Sequence, residues 1–247
     1  MSQTANYASF GSGVLIAKTA AGIVPFGALQ DVQFEIAGKN EELYGQYQSP
    51  LAVARAQVKY SAKAKTGYVS GPIYSALFFG VAASVGTVHL AYQEAATIPA
   101  ATPFTVTVAN AAKFVADFGV AYASSGVQLT PVASGPTTGQ YSVDVATGVY
   151  TFAAADTGLG VLISYTYSDA TNGSTIVVPN QLQGVQPTFS VILQRSYNGT
   201  GERYLLNSCI SSKLSLPTQM AKFGISEMDL DAFAPNGASP LSIYTDA

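Results

Sequence analysis

Few side chains in this sequence have the type and spacing that catalysis needs. There is one histidine, His89, and one cysteine, Cys209. A metal centre or an activated nucleophile requires several such groups at a defined spacing. No residue near His89 in the sequence completes either arrangement, so we interpret it as an ordinary strand or loop histidine. Cys209 lies between Ser208 and Ile210 in a predicted strand, a setting typical of a small buried apolar side chain.

The carboxylates are the remaining candidates for chemistry. The chain has 14 Asp and Glu residues, and two of them could form a glycosidase pair. The most regular group, Glu227, Asp229 and Asp231, alternates with apolar residues, which indicates a solvent-facing or partner-facing strand edge. Phosphate-binding, zinc-protease and nucleophile-elbow motifs do not occur in the sequence. We therefore predict that the protein is not an enzyme and uses no metal or cofactor.

A basic stripe runs along one predicted strand. Residues 53–65 alternate with a period of two, which predicts a long strand with one basic and one apolar face. Opposite charges on neighbouring strands attract each other. We therefore expect the basic face to pair with two acidic strand faces, either within one sheet or across a subunit boundary. The basic residues are Arg55, Lys59, Lys63 and Lys65, and the acidic ones are Asp31, Glu35, Glu227, Asp229 and Asp231.

A polar segment, residues 38–48, separates the first acidic strand from the basic one. It is too long for a tight hairpin turn, so we predict a loop. Long loops with aromatic residues are often functional. We expect residues 38–49 to contact a neighbouring subunit. The residues assigned to this contact are Glu41, Glu42, Tyr44, Gln46 and Tyr47.

One short helix is predicted at about residues 71–79. Ser70 can cap a helix that begins at Gly71 and Pro72, and Gly80 supplies the stop. Ile73 and Leu77 lie four residues apart, which places them on one face of this helix. Residues 1–24 are interpreted either as a segment docked on a neighbour or as a frayed chain end, and the residues after Pro235 are expected to extend outward.

The composition favours a protein whose surface is covered by assembly. Only 10% of the residues are charged, against about 25% in typical soluble domains, while 48% are hydrophobic, enough for a sizeable core. A net charge of −3 weighs against a protein that grips nucleic acid through phosphate contacts. The longest apolar stretch is about half the length of a membrane-spanning helix, and residues 14–17 are too short for a signal sequence. We therefore expect no membrane partner.

The composition of the sequence and the length of its apolar runs change at about residue 85. Residues 86–168 break into short alternating runs separated by Pro, Gly and Thr, which predicts a separate β module. The core pattern resumes after residue 184, so residues 1–85 and 169–247 are predicted to form one discontinuous β domain. The overall prediction is an all-β antiparallel sandwich or barrel with one short helix and a small β-sandwich insertion. The predicted strands of the insertion are residues 104–108, 114–122, 127–132, 141–145, 149–153 and 161–167.

The order of these pieces resembles the tail tube (major tail) proteins of tailed bacteriophages. The resemblance rests on Leu-Tyr-Gly-Gln-Tyr-Gln at residues 43–48 with a proline at position 50, the long strand, and the segment from Ser70 to the Leu-Phe-Phe-Gly at residues 77–80. Predicted strands at 204–216 and 223–233 resemble the closing strands of that family. Residues 140–167 resemble an Ig-like module of phage virion proteins. The family resemblance covers roughly residues 25–84 and 175–235.

The resemblance implies a structural virion protein made in the bacterial host cytoplasm. Such subunits polymerise into stacked hexameric rings around a channel that conducts genome DNA during ejection, without binding it specifically. The family uses the hairpin loop that corresponds to residues 38–49 to reach a neighbouring subunit, so the resemblance implies an inter-ring or inter-subunit contact there. Tail sheath, baseplate or tail-terminator proteins are the further partners that the family implies. Because unpaired cations in a channel would hold the DNA backbone, we expect any lumen wall to be neutral or acidic.

Two alternatives remain open from the sequence. One is another virion protein, either a capsid decoration protein or a tail-completion component, and the other is a carbohydrate-binding β-sandwich. A tube protein should polymerise into hollow rods, a decoration protein should bind only a preformed shell, and a lectin should stay small with an aromatic platform. The absence of tryptophan weighs against the lectin.

Overall fold

A computed structural model describes residues 11, 13–68, 71, 73–218 and 220–246 of the chain. Within these residues the regular structure is almost entirely β, which confirms the predicted fold class. The helix covers Ile73–Phe79, and single 3₁₀ turns cover Ala111–Lys113, Ala154–Asp156 and Pro235–Gly237. The strands are β1 (Val14–Thr19), β2 (Gly22–Pro25), β3 (Leu29–Tyr44), β4 (Pro50–Thr66), β5 (Ser84–Thr97), β6 (Thr105–Thr107), β7 (Phe114–Tyr122), β8 (Thr130–Pro131), β9 (Gln140–Asp144), β10 (Val149–Phe152), β11 (Gly160–Thr175), β12 (Phe189–Tyr197), β13 (Thr200–Ser215), β14 (Ser226–Ala232) and β15 (Leu241–Thr245).

The chain divides into two compact units. The first unit comprises residues 1–83 and 176–247, and the second unit comprises residues 84–175. The predicted insertion, residues 86–168, lies inside the second unit. The remainder of that unit comes from β5 and β11, which both run past the predicted bounds.

The first unit is built on one antiparallel sheet. Its strand order is β2-β1-β12-β13-β14-β4-β3, and β15 pairs with β13. Phe189, Val191 and Leu193 alternate along β12 and are all buried, as their period-two spacing requires. They join buried residues of the helix, such as Leu77, in one apolar cluster.

The helix ends where the sequence predicts, although its hydrogen bonding is π-helical rather than α-helical. Ile73 and Leu77 are buried. Gly80 has a φ of +65°, a conformation that glycine adopts without steric cost, and the Val81 N–H donates to the Ser75 carbonyl at 2.9 Å. The predicted cap, Ser70, lies outside the described residues.

The prediction of a loop at residues 38–48 is wrong. Strand β3 continues to Tyr44 and β4 begins at Pro50, so the two strands form one long hairpin whose turn is residues 45–49. Residues 35–57 are all exposed. A ribbon with no buried face has no reason to alternate apolar and polar residues, so its strand pattern was hidden in the sequence.

The expectations for the two ends of the chain are also corrected. Strand β1 pairs with β12 of its own chain, and β2 pairs with β1. Strand β15 pairs with β13, so residues after Pro235 return to the sheet instead of extending outward. Buried backbone groups need partners, and these short strands supply them to β12 and β13. Residues 1–10 and 12 of the predicted N-terminal segment lie outside the described residues.

The second unit is a small sandwich. One sheet has the order β6-β10-β9-β8 and the other β5-β11-β7, and the pairing is antiparallel except between β8 and β9. Both sheets contribute to one buried cluster, with Tyr150 from the first and Ile163 from the second. A tight turn at residues 145–148 joins the paired strands β9 and β10, and in it the Gly148 N–H donates to the Asp144 carbonyl at 2.8 Å.

Candidate interaction surfaces

The predicted acidic and basic strand faces lie side by side in the first unit. Strand β4 pairs with β3 on one side and with β14 on the other. In this register Lys65 stands opposite both Asp31 and Glu227, and Lys63 stands opposite Asp229. Successive side chains of a strand point to opposite faces, so these charges lie on the face opposite the buried apolar residues.

Four ion pairs connect the three strands within one chain. The Lys59 Nζ lies 2.9 Å from Asp231, and the Lys65 Nζ lies 3.2 Å from Asp31. The Lys63 Nζ lies 3.4 Å from a Glu227 oxygen and 3.8 Å from an Asp229 oxygen. Of the two arrangements left open by the sequence, the structure therefore shows pairing within a sheet. We call this surface the charged face.

The titration of the charged face reflects these contacts. The pKa of Lys59 is raised, first by its hydrogen bond to Asp231. Partial burial acts to raise the pKa of Asp231, but hydrogen bonds from Lys59 and Ser212 outweigh it and the pKa is lowered. The pKa of Glu227 is lowered by a hydrogen bond from Lys213 and by Lys63. A general acid needs a raised carboxyl pKa, so these carboxylates have the opposite of the required shift.

Two residues assigned to the charged face, Arg55 and Glu35, form no ion pair with the described residues. Arg55 lies farther along β4, opposite Asn40 of β3, and no carboxylate in the described part of the chain forms an ion pair with it. Glu35 stands opposite Ser61 and acts on Lys59 only through a weak charge interaction. A shallow groove of about 270 Å³ runs over the face.

The residues assigned to the inter-subunit contact lie at the end of the β3–β4 hairpin. Glu41, Glu42 and Tyr44 belong to β3, whereas Gln46 and Tyr47 lie in the turn. The Tyr44 hydroxyl donates a hydrogen bond to Glu42, and this bond raises the pKa of Tyr44. We call residues 36–57 the arm. Its large exposed apolar residues are Ile36, Leu43, Tyr44, Tyr47, Leu51 and Val53.

His89 and Cys209 occupy the settings expected from the sequence. His89 is an exposed residue of β5, with its ring centre 5.3 Å from that of Tyr167. Cys209 is fully buried, its thiol donates to the Phe189 carbonyl at 3.1 Å, and burial raises its pKa to about 12. A thiol with this pKa stays protonated and unreactive at neutral pH.

The described residues contain neither a metal-binding cluster nor a membrane-spanning helix. Their His, Cys, Asp and Glu side chains do not form a group of three or more that could hold a metal ion. None of the helices in that part of the chain has the length and apolar character needed to cross a membrane.

A buried polar network in the second unit was missed in the sequence. Asp117 accepts hydrogen bonds from the Tyr141 hydroxyl at 2.5 Å, the Tyr150 hydroxyl at 2.8 Å and the Gly119 N–H at 3.0 Å. The pKa values of Tyr141 and Tyr150 are raised, first by burial and then by the bond to Asp117. The sequence does contain one sign of this network, because Asp117 is a charged residue between Ala116 and Phe118 in an otherwise apolar strand.

No protein-family model matches the chain, and no curated protein sequence is significantly similar to it.

Proposed function

We propose that the protein is a structural virion protein, the subunit that polymerises into stacked rings, hexameric as the resemblance implies, of a bacteriophage tail tube. The channel of this tube would conduct genome DNA during ejection. The proposal combines the sequence resemblance with the surfaces of the first unit. The observation that carries it is the arm, a two-stranded ribbon that exposes apolar side chains on both faces.

The arm is an unusual surface for a free monomer. Leu43 is 62% exposed, Leu51 is 65% exposed and Tyr47 is 70% exposed. An isolated two-stranded hairpin is marginally stable in water, and clustered exposed apolar side chains usually mark an interface. Aromatic residues are favoured anchors at such interfaces. Packing against a neighbouring subunit would bury these side chains and order the ribbon.

The backbone of the arm supports the same conclusion. Strand β4 pairs with β14 only from Tyr60 to Thr66, so beyond Tyr60 its one neighbour among the described strands is β3. Both edges of the arm therefore present unpaired backbone groups. Such edges readily accept a strand from another chain, and assembly would satisfy them.

The charged face suits a channel wall. Each lysine of β4 on this face has a carboxylate partner, so the stripe leaves little free positive charge to hold phosphate groups. DNA binding by counterion release scales with the number of cations that contact phosphates. A paired surface of this kind would let DNA pass without being retained.

Negative-stain electron microscopy of the purified full chain tests the proposal, with hollow rods as the expected result. A shortened variant replaces residues 41–54 with Asn-Gly, so that a two-residue turn joins the paired Asn40 and Arg55. This variant should remain folded by circular dichroism but form no rods. A second variant, Tyr47→Ser with Leu51→Ser, keeps the arm and removes two of its anchors, and it should shorten or abolish the rods.

The matched control is Leu182→Ser with Val185→Ser, which changes exposed apolar residues of the first unit outside the arm and should leave the rods intact. Rods of normal length from the shortened variant would contradict the proposal. Full-length chains that stay small but coat a preformed capsid would favour a decoration protein instead.

A further inference from the structure

An open cleft lies on the outer face of the β5-β11-β7 sheet in the second unit, all of whose residues are described. Its volume is about 300 Å³, the lower end of the range for small-molecule sites. Two aromatic side chains line it, Tyr92 at 71% exposure and Phe118 at 66%. Leu162 and Ser164 also line it, from the central strand β11. These exposed rings are not used by the core of the unit.

Two β-bulges lie on either side of Ser164 and place the aromatic residues. On one side, Ile163 pairs with Glu94 and Tyr165 pairs with Ala91, so Tyr92 and Gln93 together stand opposite Ser164. On the other side, Ser164 pairs with Gly119 and Tyr165 pairs with Asp117, so Phe118 is the extra residue. Bulges redirect side chains and are over-represented next to functional sites. Here each bulge carries one exposed ring.

The backbone at these bulges is held in uncommon conformations. Gln93 has a φ of +57°, which is unfavourable for a residue with a side chain. A hydrogen bond from the Gln93 N–H to the Ser164 Oγ, at 3.2 Å, fixes it there. Gly119 has a φ of +111°, a conformation that only glycine adopts readily. Strain that the surrounding sheet maintains points to a functional constraint at this position.

The chemistry of the lining selects the ligand class. The cleft is bordered by uncharged residues alone, and the amides of Gln93 and Gln128 are its main polar groups. A charged ligand would find no counter-ion there, and a purely apolar ligand would desolvate both amides without replacing their hydrogen bonds. A neutral sugar meets both requirements, because its C–H face can stack on an aromatic ring while its hydroxyls exchange hydrogen bonds with amides.

We propose that this cleft binds a neutral saccharide. Tyr92 and Phe118 supply the stacking surfaces, and Gln93, Gln128 and Ser164 supply the polar contacts. The Ser164 hydroxyl accepts the hydrogen bond from Gln93 and can still donate its own proton to a ligand. The cleft lies in the second unit and involves neither the arm nor the charged face, so the proposal stands independently of the tail-tube assignment.

Saturation-transfer NMR with the full chain tests this proposal. The probes are maltohexaose, cellohexaose and chitotetraose, each added separately in millimolar excess. At least one should receive saturation at its ring protons. The variant Tyr92→Ser with Phe118→Ser should lose this transfer, and each single change should weaken binding by about tenfold, the loss expected from one stacking contact. Tyr92→Phe should retain binding because the ring is kept.

The matched control is Val145→Ser with Leu159→Ser, which alters exposed apolar residues of the same unit away from the cleft and should bind like the parent. If the aromatic double variant fails to fold, Gln128→Ala decides, and it should weaken binding severalfold. The proposal is overturned if none of the saccharides receives saturation, or if transfer persists unchanged in the aromatic and Gln128 variants. Sedimentation of the parent chain and the double variant gives a further check. The proposal is also overturned if the double variant differs from the parent only in having lost contact between copies of the chain.

Discussion

Asp117 organises the buried aromatic residues of the second unit. It is the common acceptor for the hydroxyls of Tyr141 and Tyr150, whose rings stack with centres 5.8 Å apart. Buried hydroxyls that lack a partner are costly, so one carboxylate allows two large aromatic side chains to fill the core. The arrangement makes the stability of this unit depend on the protonation of its tyrosines.

We predict that the protein loses stability above about pH 10. The pKa values of Tyr141 and Tyr150 are raised in the folded state, whereas unfolded tyrosine titrates near 10. Below pH 10 both states hold the proton and the stabilisation is complete. Above it only the unfolded chain releases the proton, so the free energy of unfolding falls by up to about 1.4 kcal/mol per pH unit for each tyrosine.

Urea unfolding at pH 8 and pH 11 measures this effect. The variant Tyr141→Phe with Tyr150→Phe should be less stable at pH 8 but should lose less stability between the two pH values. Tyr47→Phe, at an exposed position, serves as the control and should behave like the parent. An equal loss in all three proteins would show that the buried tyrosines do not cause the alkaline instability.

Single residues were predictable from the sequence where their setting is local. Cys209 was assigned correctly because its neighbours in the strand already indicate burial. The role of Asp117 was not predictable, because its partners Tyr141 and Tyr150 are 24 and 33 residues away. Only the packing of two sheets brings these residues together, and the spacing of residues in one strand carries no information about it.

At the scale of strands, the charged face is a ladder of partly exposed ion pairs. We predict that Lys59→Glu with Lys63→Glu lowers the free energy of unfolding measurably, because the cross-strand attraction is replaced by repulsion between like charges. Adding Glu227→Lys and Asp229→Lys should restore part of the loss. Chemical denaturation at low and high salt measures both effects, and salt should reduce them.

Arg55→Glu is the control for this series. It changes a cation of the same strand that forms no ion pair with any described residue, so stability should stay within about 0.5 kcal/mol of the parent. If Arg55→Glu costs as much as the reversal at Lys59 and Lys63, net charge rather than specific pairing explains the result. The ion pairs of Lys59 and Lys63 would then not contribute to the strand register.

Strands were predictable in proportion to their one-sided burial. The bounds of β7, Phe114–Tyr122, match those of the strand predicted at residues 114–122, where apolar residues predominate despite Asp117 and Gly119. Strand β5 was missed, since its outer face exposes Val88, Leu90 and Tyr92 and its polar residues do not alternate cleanly with a buried set. The outer half of β3 was missed for the related reason that neither of its faces is buried.

For the whole molecule, the sequence indicated two units because composition changes near residue 85 and the core pattern returns after residue 184. It could not give the bounds, Ser84 and Thr175, because these residues end two long paired strands whose outer parts are exposed. Each unit has its own cluster of buried apolar residues, made entirely from residues of that unit. This separation of the cores implies that each unit can fold without the other.

We therefore predict that the first unit folds after residues 84–175 are replaced by a short Gly-Ser linker. Ser84 and Thr175 pair in the β5–β11 ladder, and the Ser84 hydroxyl donates to the Thr175 carbonyl at 3.3 Å, so the chain enters and leaves the second unit at neighbouring points. Excision is tolerated where chain ends lie close together. The shortened chain should give a strand-rich circular dichroism spectrum and one cooperative thermal transition, and it should still form rods if the arm drives assembly.

The same linker inserted between Ala83 and Ser84, with the second unit retained, controls for the linker itself and should leave folding unchanged. A segment of residues 84–175 expressed alone should also fold, because its sandwich encloses a complete apolar cluster. If the excised chain is unfolded while the linker control is folded, the first unit depends on the second for its stability. The two separate clusters would then not be independent cores, and the chain would have to be treated as one cooperative unit.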